Sequence, residues 1–479
     1  MKFQKLASPI GLLLCVASIA MLLPALVDLA QRNSDSAIFL ASALLTGGLG
    51  GVLFLGYRGE YAPWNRREGF VFVAASWFAM SFAGALPFVV SQVDMSLADA
   101  FFESVSGLTT TGSTVMSGLD RQAPGILLWR ALLQWIGGVG IVVFSVFLFP
   151  FLKLSGQQLF ALESSDTAER AFSRFEEYAL RILAMYGLLT LSCTLTYNAL
   201  GMSFFDAICH AMTTVSSGGY STSDLSMAKF HSVPILWAST FFMFLAGAPF
   251  LVIMMVFSGK RRLFDVQIVW MLWIVALAVA FIVVAMRIDQ ETVDFSRFST
   301  IVFTVVSIMT TTGFGYEDYG LWPPAALVVI FLLTLLGGCS GSTAGGFKVS
   351  RVMVLVAICG QTLRRMLYPN AVRSLKYGSS KVDSENVLDL AAFTTLFFAT
   401  VAISTLALTL TGNDLTTALT ASATAVSNVG PGMGAIVGPV GNFGSLGDAD
   451  KIILSLGMLL GRLEIMSLVI FFLPRFWVD

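Results

Sequence analysis

Four strings of small polar residues and glycine interrupt this chain where apolar sequence would otherwise continue. They read SGLTTTGS ending at Ser113, TTVSSGGY ending at Tyr220, MTTTGFGY ending at Tyr316 and TAVSNVGP ending at Pro431. None contains an ionised side chain. Each offers backbone carbonyl oxygens, and a glycine whose freedom in φ lets those carbonyls turn inward. Four such strings around one axis would form rings of oxygen able to replace the hydration shell of a bare cation. A site without carboxylates suits a large, weakly hydrated monovalent ion better than a divalent one, which calls for charged ligands. Potassium is the leading candidate. The competing explanation is that the glycines only let helices pack closely, as small residues do in membranes. A lone string would not separate the two; four at matching positions favour the ring.

A second glycine-rich stretch, LLGGCSGSTAGGFKVSR from Leu335 to Arg351, suggests two other chemistries, and both fail. Gly338-Cys339-Ser340-Gly341 matches the GxSG pattern of intramembrane serine proteases, which need a histidine base within hydrogen-bond reach. The chain has two histidines, His210 and His231, both expected on the outer side, whereas Ser340 lies deeper. A phosphate-binding loop fails because Gly346-Phe347-Lys348 breaks its Gly-Lys-[Ser/Thr] ending and no strand precedes it. What remains is a loop that interrupts a span at its middle. Non-helical backbone at membrane depth must be covered by protein or line a wet cavity, and the cavity available is the pore beneath the strings. Gly337, Gly338, Ser340, Gly341, Gly345 and Gly346 therefore form a candidate gate, with Lys348 just beyond. Arg462 is expected near the midpoint of the last span, and an intramembrane charge is a functional hypothesis by default. On a pore-facing helix it places a positive barrier in the cation path; alternatively it pairs with loop carbonyls or with Glu464.

The elements that must hold these groups are membrane helices. The chain has 479 residues, of which 56% are hydrophobic and 12% charged, with 40 phenylalanines. Apolar runs long enough to cross ~30 Å of hydrocarbon recur along its length. Expected spans are 9–30, 37–57, 68–92, 124–152, 178–201, 232–258, 266–287, 322–360 with an interruption, 387–411 and 452–473. The apolar N-terminus is longer than a signal-peptide core and is read as a retained first span. Lysines and arginines concentrate on one side, which makes both termini cytoplasmic. A net charge of −1 gives no basic field for nucleic acid. The five cysteines show no metal-ligand spacing and are expected to be buried thiols. Lys153–Arg181 reads as a solvated connection. The basic stretch GQTLRRMLYPNAVRSLKYGSSKVDSEN could dock a partner or anionic headgroups.

A shorter, semi-apolar segment precedes each string. Ser96-x-x-Asp99 and Ser203-x-x-Asp206 have capping-box spacing, Asp414 is a good N-cap, and the third segment can use Ser296. Each string is thus the exit of a short capped helix whose negative C-terminal end favours a cation. The repeating unit is span, short helix, string, span, in parallel copies. The fold class is an all-α membrane protein: two N-terminal helices plus four pseudo-fourfold span–pore helix–span repeats around a central pore. The divisions are 1–60 for the N-terminal pair, then 61–155, 156–262, 263–372 with the loop 337–346, and 373–479. Glu103 and His210 occupy equivalent places on the first two short helices and are expected to support the strings.

With its four strings and GGCSGSTAGGFK, the chain resembles the TrkH-type membrane subunits of Trk potassium uptake systems, within the Trk/Ktr/HKT superfamily. The resemblance covers nearly the whole chain. It implies filter glycines at Gly112, Gly219, Gly313 and Gly430. It puts ion-coordinating carbonyls on Thr110 and Thr111, Ser217 and Gly218, Thr311 and Thr312, and Asn428 and Val429. It implies a loop under the filter and a pore arginine at Arg462. It further implies K+ as bound and transported ion, a homodimer with one pore per protomer, and residence in the prokaryotic inner membrane. The partner it implies is a cytosolic TrkA-like ring binding NAD(H), ATP or ADP, since no motif here binds a nucleotide. The second and fourth strings depart from Thr-Thr-Gly, so discrimination against sodium should be weaker than in a symmetric tetrameric channel. No substrate chemistry is required, so an enzyme is not expected. The rival reading, a proton- or sodium-coupled secondary transporter, calls for inverted repeats and acidic residues within spans, and Glu464 is the main candidate of that kind.

Overall fold

Four side chains at helix starts set the repeat in place. Ser96 accepts from Asp99 N at 3.1 Å while the Asp99 carboxylate receives Ser96 N, and Ser203 accepts from Asp206 N at 3.1 Å. Asp414 accepts from Thr417 N at 3.0 Å. The third helix departs from expectation, for its cap is Asp294, accepting from Arg297 N at 2.8 Å, and not Ser296. This short helix is longer than the other three, and Ser296 falls inside its first turn. Arg297 has a different task, pairing with Glu317 at 2.6 Å and Glu291 at 2.9 Å.

The computed structural model describes residues 4–59, 65–91, 93, 95–152, 168–257, 259, 265–369, 376–377, 380–381 and 384–478. Among these the regular structure is helical apart from a two-residue ladder pairing Lys376–Tyr377 with Ser380–Lys381 and an isolated parallel bridge between Leu336 and Phe347. All four repeat boundaries expected near 60, 155, 262 and 372 lie outside the described residues, as do much of the Lys153–Arg181 connection and the middle of the basic stretch.

Helices α1 (Gln4–Ala30) and α2 (Asp35–Gly56) form an antiparallel hairpin. The first repeat holds α3 (Arg66–Val90), the short helix α4 (Leu97–Leu108) and α5 (Pro124–Leu152). The second holds α6 (Ala168–Ala199), short α7 (Phe204–Val215), α8 (Val233–Ala246) and α9 (Phe250–Phe257). The third holds α10 (Val266–Ile288), short α11 (Phe295–Met309), α12 (Pro324–Leu335) and α13 (Val349–Leu367). The fourth holds α14 (Ser384–Leu410), short α15 (Leu415–Ser427), α16 (Asp448–Arg462) and α17 (Met466–Val469).

Packing closes the repeats into a ring. Short helix α7 packs on α5 of the first repeat, α11 on α8 of the second, α15 on α12 of the third, and α4 on α16 of the fourth. Each short helix therefore fills the gap between its own repeat and the one before it. Their side chains are sealed accordingly: Phe102, Ala211, Ile301 and Ala421 are fully buried. Leu26 on α1, Leu45 on α2, Phe281 on α10 and Ile403 on α14 are exposed, as a surface facing hydrocarbon requires.

Seven described helices are long and apolar enough to cross a membrane alone. Two expected continuous spans prove to be broken. The span 232–258 bends by 103° between Ala246 and Phe250, where Pro249 cannot donate a helical hydrogen bond. The span 452–473 bends by 108° after Arg462, where Glu464 takes a left-handed conformation (φ 58°). The interruption expected in 322–360 lies between α12 and α13. The last helices of the second, third and fourth repeats are thus all broken, while α5 runs on without a break.

The cysteines are free, but only Cys193, Cys209 and Cys339 are buried. Cys15 is half-buried, and Cys359 is exposed on α13, so an apolar neighbourhood in sequence does not there mean a core.

Candidate functional site

Every string leaves its helix by the same turn. Thr110, Ser217, Thr311 and Asn428 all have φ of 54–55°, and Gly112, Gly219, Gly313 and Gly430 have φ between 75° and 112°. Left-handed backbone is unfavourable for residues other than glycine, so four strained residues in register mark a shared geometric demand. Hydroxyls bond back to the turn they leave. Ser106 Oγ donates to Ser113 O at 2.6 Å and Ser307 Oγ to Phe314 O at 2.9 Å, while Thr109 and Thr310 each return to the fourth carbonyl before them at 2.7 Å.

The strings meet in cyclic order. A β-carbon placed on Gly112 would lie 2.1 Å from Gly218 O, one on Gly219 1.9 Å from Thr312 O, one on Gly313 1.9 Å from Val429 O, and one on Gly430 2.8 Å from Thr111 O. The glycine of each repeat therefore abuts the carbonyl oxygen just before the glycine of the next, and the fourth returns to the first. Ser113 Oγ donates to Gly430 O at 2.8 Å, and Asn428 Nδ2 to Thr111 Oγ1 at 2.9 Å, tying string four to string one. Above them opens a cavity of about 240 Å³ whose lining includes all four glycines. Expected residues far apart in sequence are thus brought together: Thr110, Thr111, Gly112, Ser217, Gly218, Gly219, Thr311, Thr312, Gly313, Asn428, Val429 and Gly430 belong to one ring of strings.

Beneath the ring lies the loop between α12 and α13. Thr343 Oγ1 shares a hydrogen bond of 2.8 Å with Ser217 Oγ, and Gly345 N donates to Thr311 Oγ1 at 2.7 Å. A β-carbon on Gly345 would lie 2.5 Å from Ser427 O, so the loop touches three of the four strings. The loop is tied and not slack. Gly337 N donates to Phe347 O at 3.0 Å, Cys339 N to Gly247 O at 2.9 Å, Ser340 N to Gln267 Oε1 at 2.9 Å and Phe250 N to Gly341 O at 3.0 Å. A β-carbon on Gly338 would lie 2.9 Å from Gly247 O, and one on Gly346 2.5 Å from Leu336 O. The break in the second repeat thus grips the loop of the third. Ser340 Oγ shares a hydrogen bond with Ser350 Oγ at 2.6 Å, and the ring nitrogens of His210 are engaged by Asp206 O at 2.8 Å and Ser221 Oγ at 3.0 Å. No serine–histidine pair forms between them.

Arg462 is the last residue of α16, buried at the break and not at the middle of a continuous span. Its Nη1 donates to Thr343 O at 2.9 Å, the loop-carbonyl pairing that the sequence left open. Glu464 pairs instead with Arg351, whose guanidinium also lies 3.6 Å from the Phe393 ring centre. Lys348 Nζ donates to Ala344 O within the loop. Arg462, from the fourth repeat, and Lys348, from the stretch itself, thus hold two adjacent loop carbonyls.

Two residues that sequence reasoning passed over, Arg130 and Gln134, stand behind the strings beside the expected Glu103. Arg130 is buried and pairs with Glu103 at 2.8 Å, donates to Ser221 O at 2.9 Å and lies 4.0 Å from the Tyr220 ring centre. Glu103 accepts from Val115 N at 3.0 Å, and Tyr220 OH donates to Glu103 O at 2.9 Å. Gln134 donates to Gly218 O at 2.6 Å. The signal was present: an arginine and a glutamine four residues apart inside the apolar run LLWRALLQWIGG.

At the outer surface the caps are charged. Asp206 feels burial pushing its carboxyl upward, but hydrogen bonds from Thr222 and Ser203 and the Lys229 charge outweigh this and hold it below the usual range. Asp414 is held below its ordinary value by its bonds to Thr417.

Comparison with known proteins adds four findings. The TrkH family, described as cation transport protein, matches residues 37–264 and 261–477. The Trk system potassium uptake protein TrkI of Halomonas elongata is 37% identical over 474 residues, covering 98% of this chain and 96% of that one. The potassium uptake protein TrkH of Escherichia coli K12 is 33% identical over 488 residues, with 100% of both chains covered. The crystal structure of the potassium transporter TrkH from Vibrio parahaemolyticus matches with a TM-score of 0.91 at 32% identity, covering 100% of each chain.

Proposed function

This chain belongs to the TrkH family of cation transport proteins, and from that premise we propose that it takes up potassium across the cytoplasmic membrane through the ring of four strings. It is a multi-pass membrane transporter and not an enzyme, in keeping with the names of its relatives. The observation that carries the reading is the cyclic contact of each glycine with the next repeat's carbonyl, which arranges peptide oxygens around one axis. Such oxygens stand in for water around a bare ion. The filter comprises the twelve ring residues named above, and the repeats divide at 61–155, 156–262, 263–372 and 373–479 after an N-terminal pair at 1–60.

The loop from Gly337 to Gly346, with Lys348 and Arg462, is the gate. What supports this is its hydrogen bonding to Ser217 and Thr311 from below, and the Arg462–Thr343 bond that holds a positive charge beside it. A Trk-type regulatory subunit, a TrkA-like nucleotide-binding ring, acts on it from the cytosol, where both termini of this chain lie, and the chain forms a homodimer. Coupling to protons or sodium through carboxylates is not favoured, because Glu103 and Glu464 are both held in arginine pairs.

Rubidium and sodium flux into liposomes carrying the purified chain tests this, with and without an imposed proton gradient. Rubidium flux down its own gradient, with sodium slower but measurable, is expected. Flux that requires the proton gradient would transfer the case to a coupled transporter.

A further inference from the structure

The second string departs from its counterparts just before the glycine. Gly218 stands where the others have Thr111, Thr312 and Val429. Backbone conformation gives no reason for glycine here, since Gly218 is not among the residues of positive φ. Space does. A β-carbon at this position would lie 2.4 Å from Cδ, 2.5 Å from Oε1 and 2.8 Å from Nε2 of Gln134. The fully buried carboxamide of Gln134, reaching from α5, fills the place of the missing side chain.

Its orientation follows from its partners. Tyr220 N can only donate, so the oxygen 3.0 Å away is Oε1, which turns Nε2 onto Gly218 O at 2.6 Å. That carbonyl is the one lying against Gly112 in the ring. Its counterparts, Thr111 O, Thr312 O and Val429 O, accept from no side chain among the described residues.

We propose that Gln134 sets the ion preference of the ring by holding the Gly218 carbonyl, a positioning role that rests on the pore reading above. The amide hydrogen draws on the oxygen's lone pair and fixes its place. Released, that oxygen regains its full field and can move toward a smaller ion. Stronger and more mobile ligands both favour sodium over potassium, so the two effects act in one direction.

The test is the relative permeability of sodium to potassium, from bi-ionic reversal potentials of the purified full chain in liposomes. Gln134→Leu fills most of the space with apolar carbon and removes both the donor to Gly218 O and the acceptor for Tyr220 N. The ratio is expected to rise roughly fivefold, the factor equivalent to one ordinary hydrogen bond. A second arm guards against a packing defect. Gly218→Thr alone drives its side chain into Gln134 and should lose flux, whereas Gly218→Thr with Gln134→Ala restores the space. The double variant should regain flux and show the raised sodium ratio. An unchanged ratio in a folded, conducting Gln134→Leu protein overturns the proposal. So does loss of flux to both ions in Gln134→Leu and the double variant alike, which would make Gln134 a support without a say in selectivity. Absence of potassium flux in the unaltered chain would overturn the pore reading first, and this proposal with it.

Discussion

Alanine at the ring glycines offers the sharpest test of cyclic packing, because strain and collision can be separated. Gly219→Ala would put a methyl carbon 1.9 Å from Thr312 O, which is backbone and cannot swing away. An ordinary carbon–oxygen contact of about 3.3 Å leaves the pair short by roughly 1.4 Å. Gly313→Ala meets the same shortfall against Val429 O at 1.9 Å, and Gly112→Ala nearly the same against Gly218 O at 2.1 Å. Two costs then combine: about 1–2 kcal/mol for a side chain in left-handed backbone, and about 1–3 kcal/mol for overpacking. Gly118→Ala carries the first cost without the second, since its φ is +68° and nothing lies within 4 Å. At about 1.4 kcal/mol per factor of ten, the clash alone should cut rubidium uptake by roughly 5- to 100-fold below Gly118→Ala. Uptake is measured in liposomes, with the amount of folded protein fixed by size-exclusion chromatography. If Gly219→Ala and Gly313→Ala transport as fast as Gly118→Ala, the strings do not pack as a ring and the argument falls.

Other outcomes follow from the same contacts. Arg462→Ala, which removes both the charge and the bond to Thr343 O, should raise cation flux, with Arg462→Lys in between; equal or lower flux at equal folded amount removes the barrier role. Glu103→Gln leaves the buried Arg130 guanidinium without its counter-charge and should cost about 3–5 kcal/mol, read as a lower midpoint in detergent melting. A wild-type melting curve would argue that Val115 N and Thr114, and not the ion pair, give Glu103 its role. The depressed Asp414 carboxyl stabilises its helix above its unfolded pKa of about 4, and this contribution is lost as pH falls through the lower folded value. Asp414→Asn should therefore flatten the pH dependence of melting in acid, and an unaltered acid slope would show the cap to be silent.

Much here was legible in the sequence because the determining forces act over a few residues. Apolar length gave the helices, and the polar strings gave their exits. Ser96, Ser203 and Asp414 were readable as caps because a cap bonds three residues ahead. The third cap was misplaced because Ser296 suits a helix as short as the other three, and Asp294 begins a longer one. The breaks after Ala246 and Arg462 were hidden for a different reason. Apolar composition persists through both, and what stabilises each is a bond to the loop of another repeat: Cys339 N to Gly247 O, and Arg462 to Thr343 O.

Adjacency around the axis came from the folded chain alone. No local rule places Gly430 against Thr111 O or Gln134 against Gly218, for these partners are brought together by the stacking of each short helix on the repeat before it. Composition and local spacing were enough to require four oxygen-rich turns in a membrane chain. Which oxygen meets which neighbour, and which one is held by a side chain, is fixed by packing between repeats, where contact depends on three-dimensional closure and leaves no periodic trace in the chain.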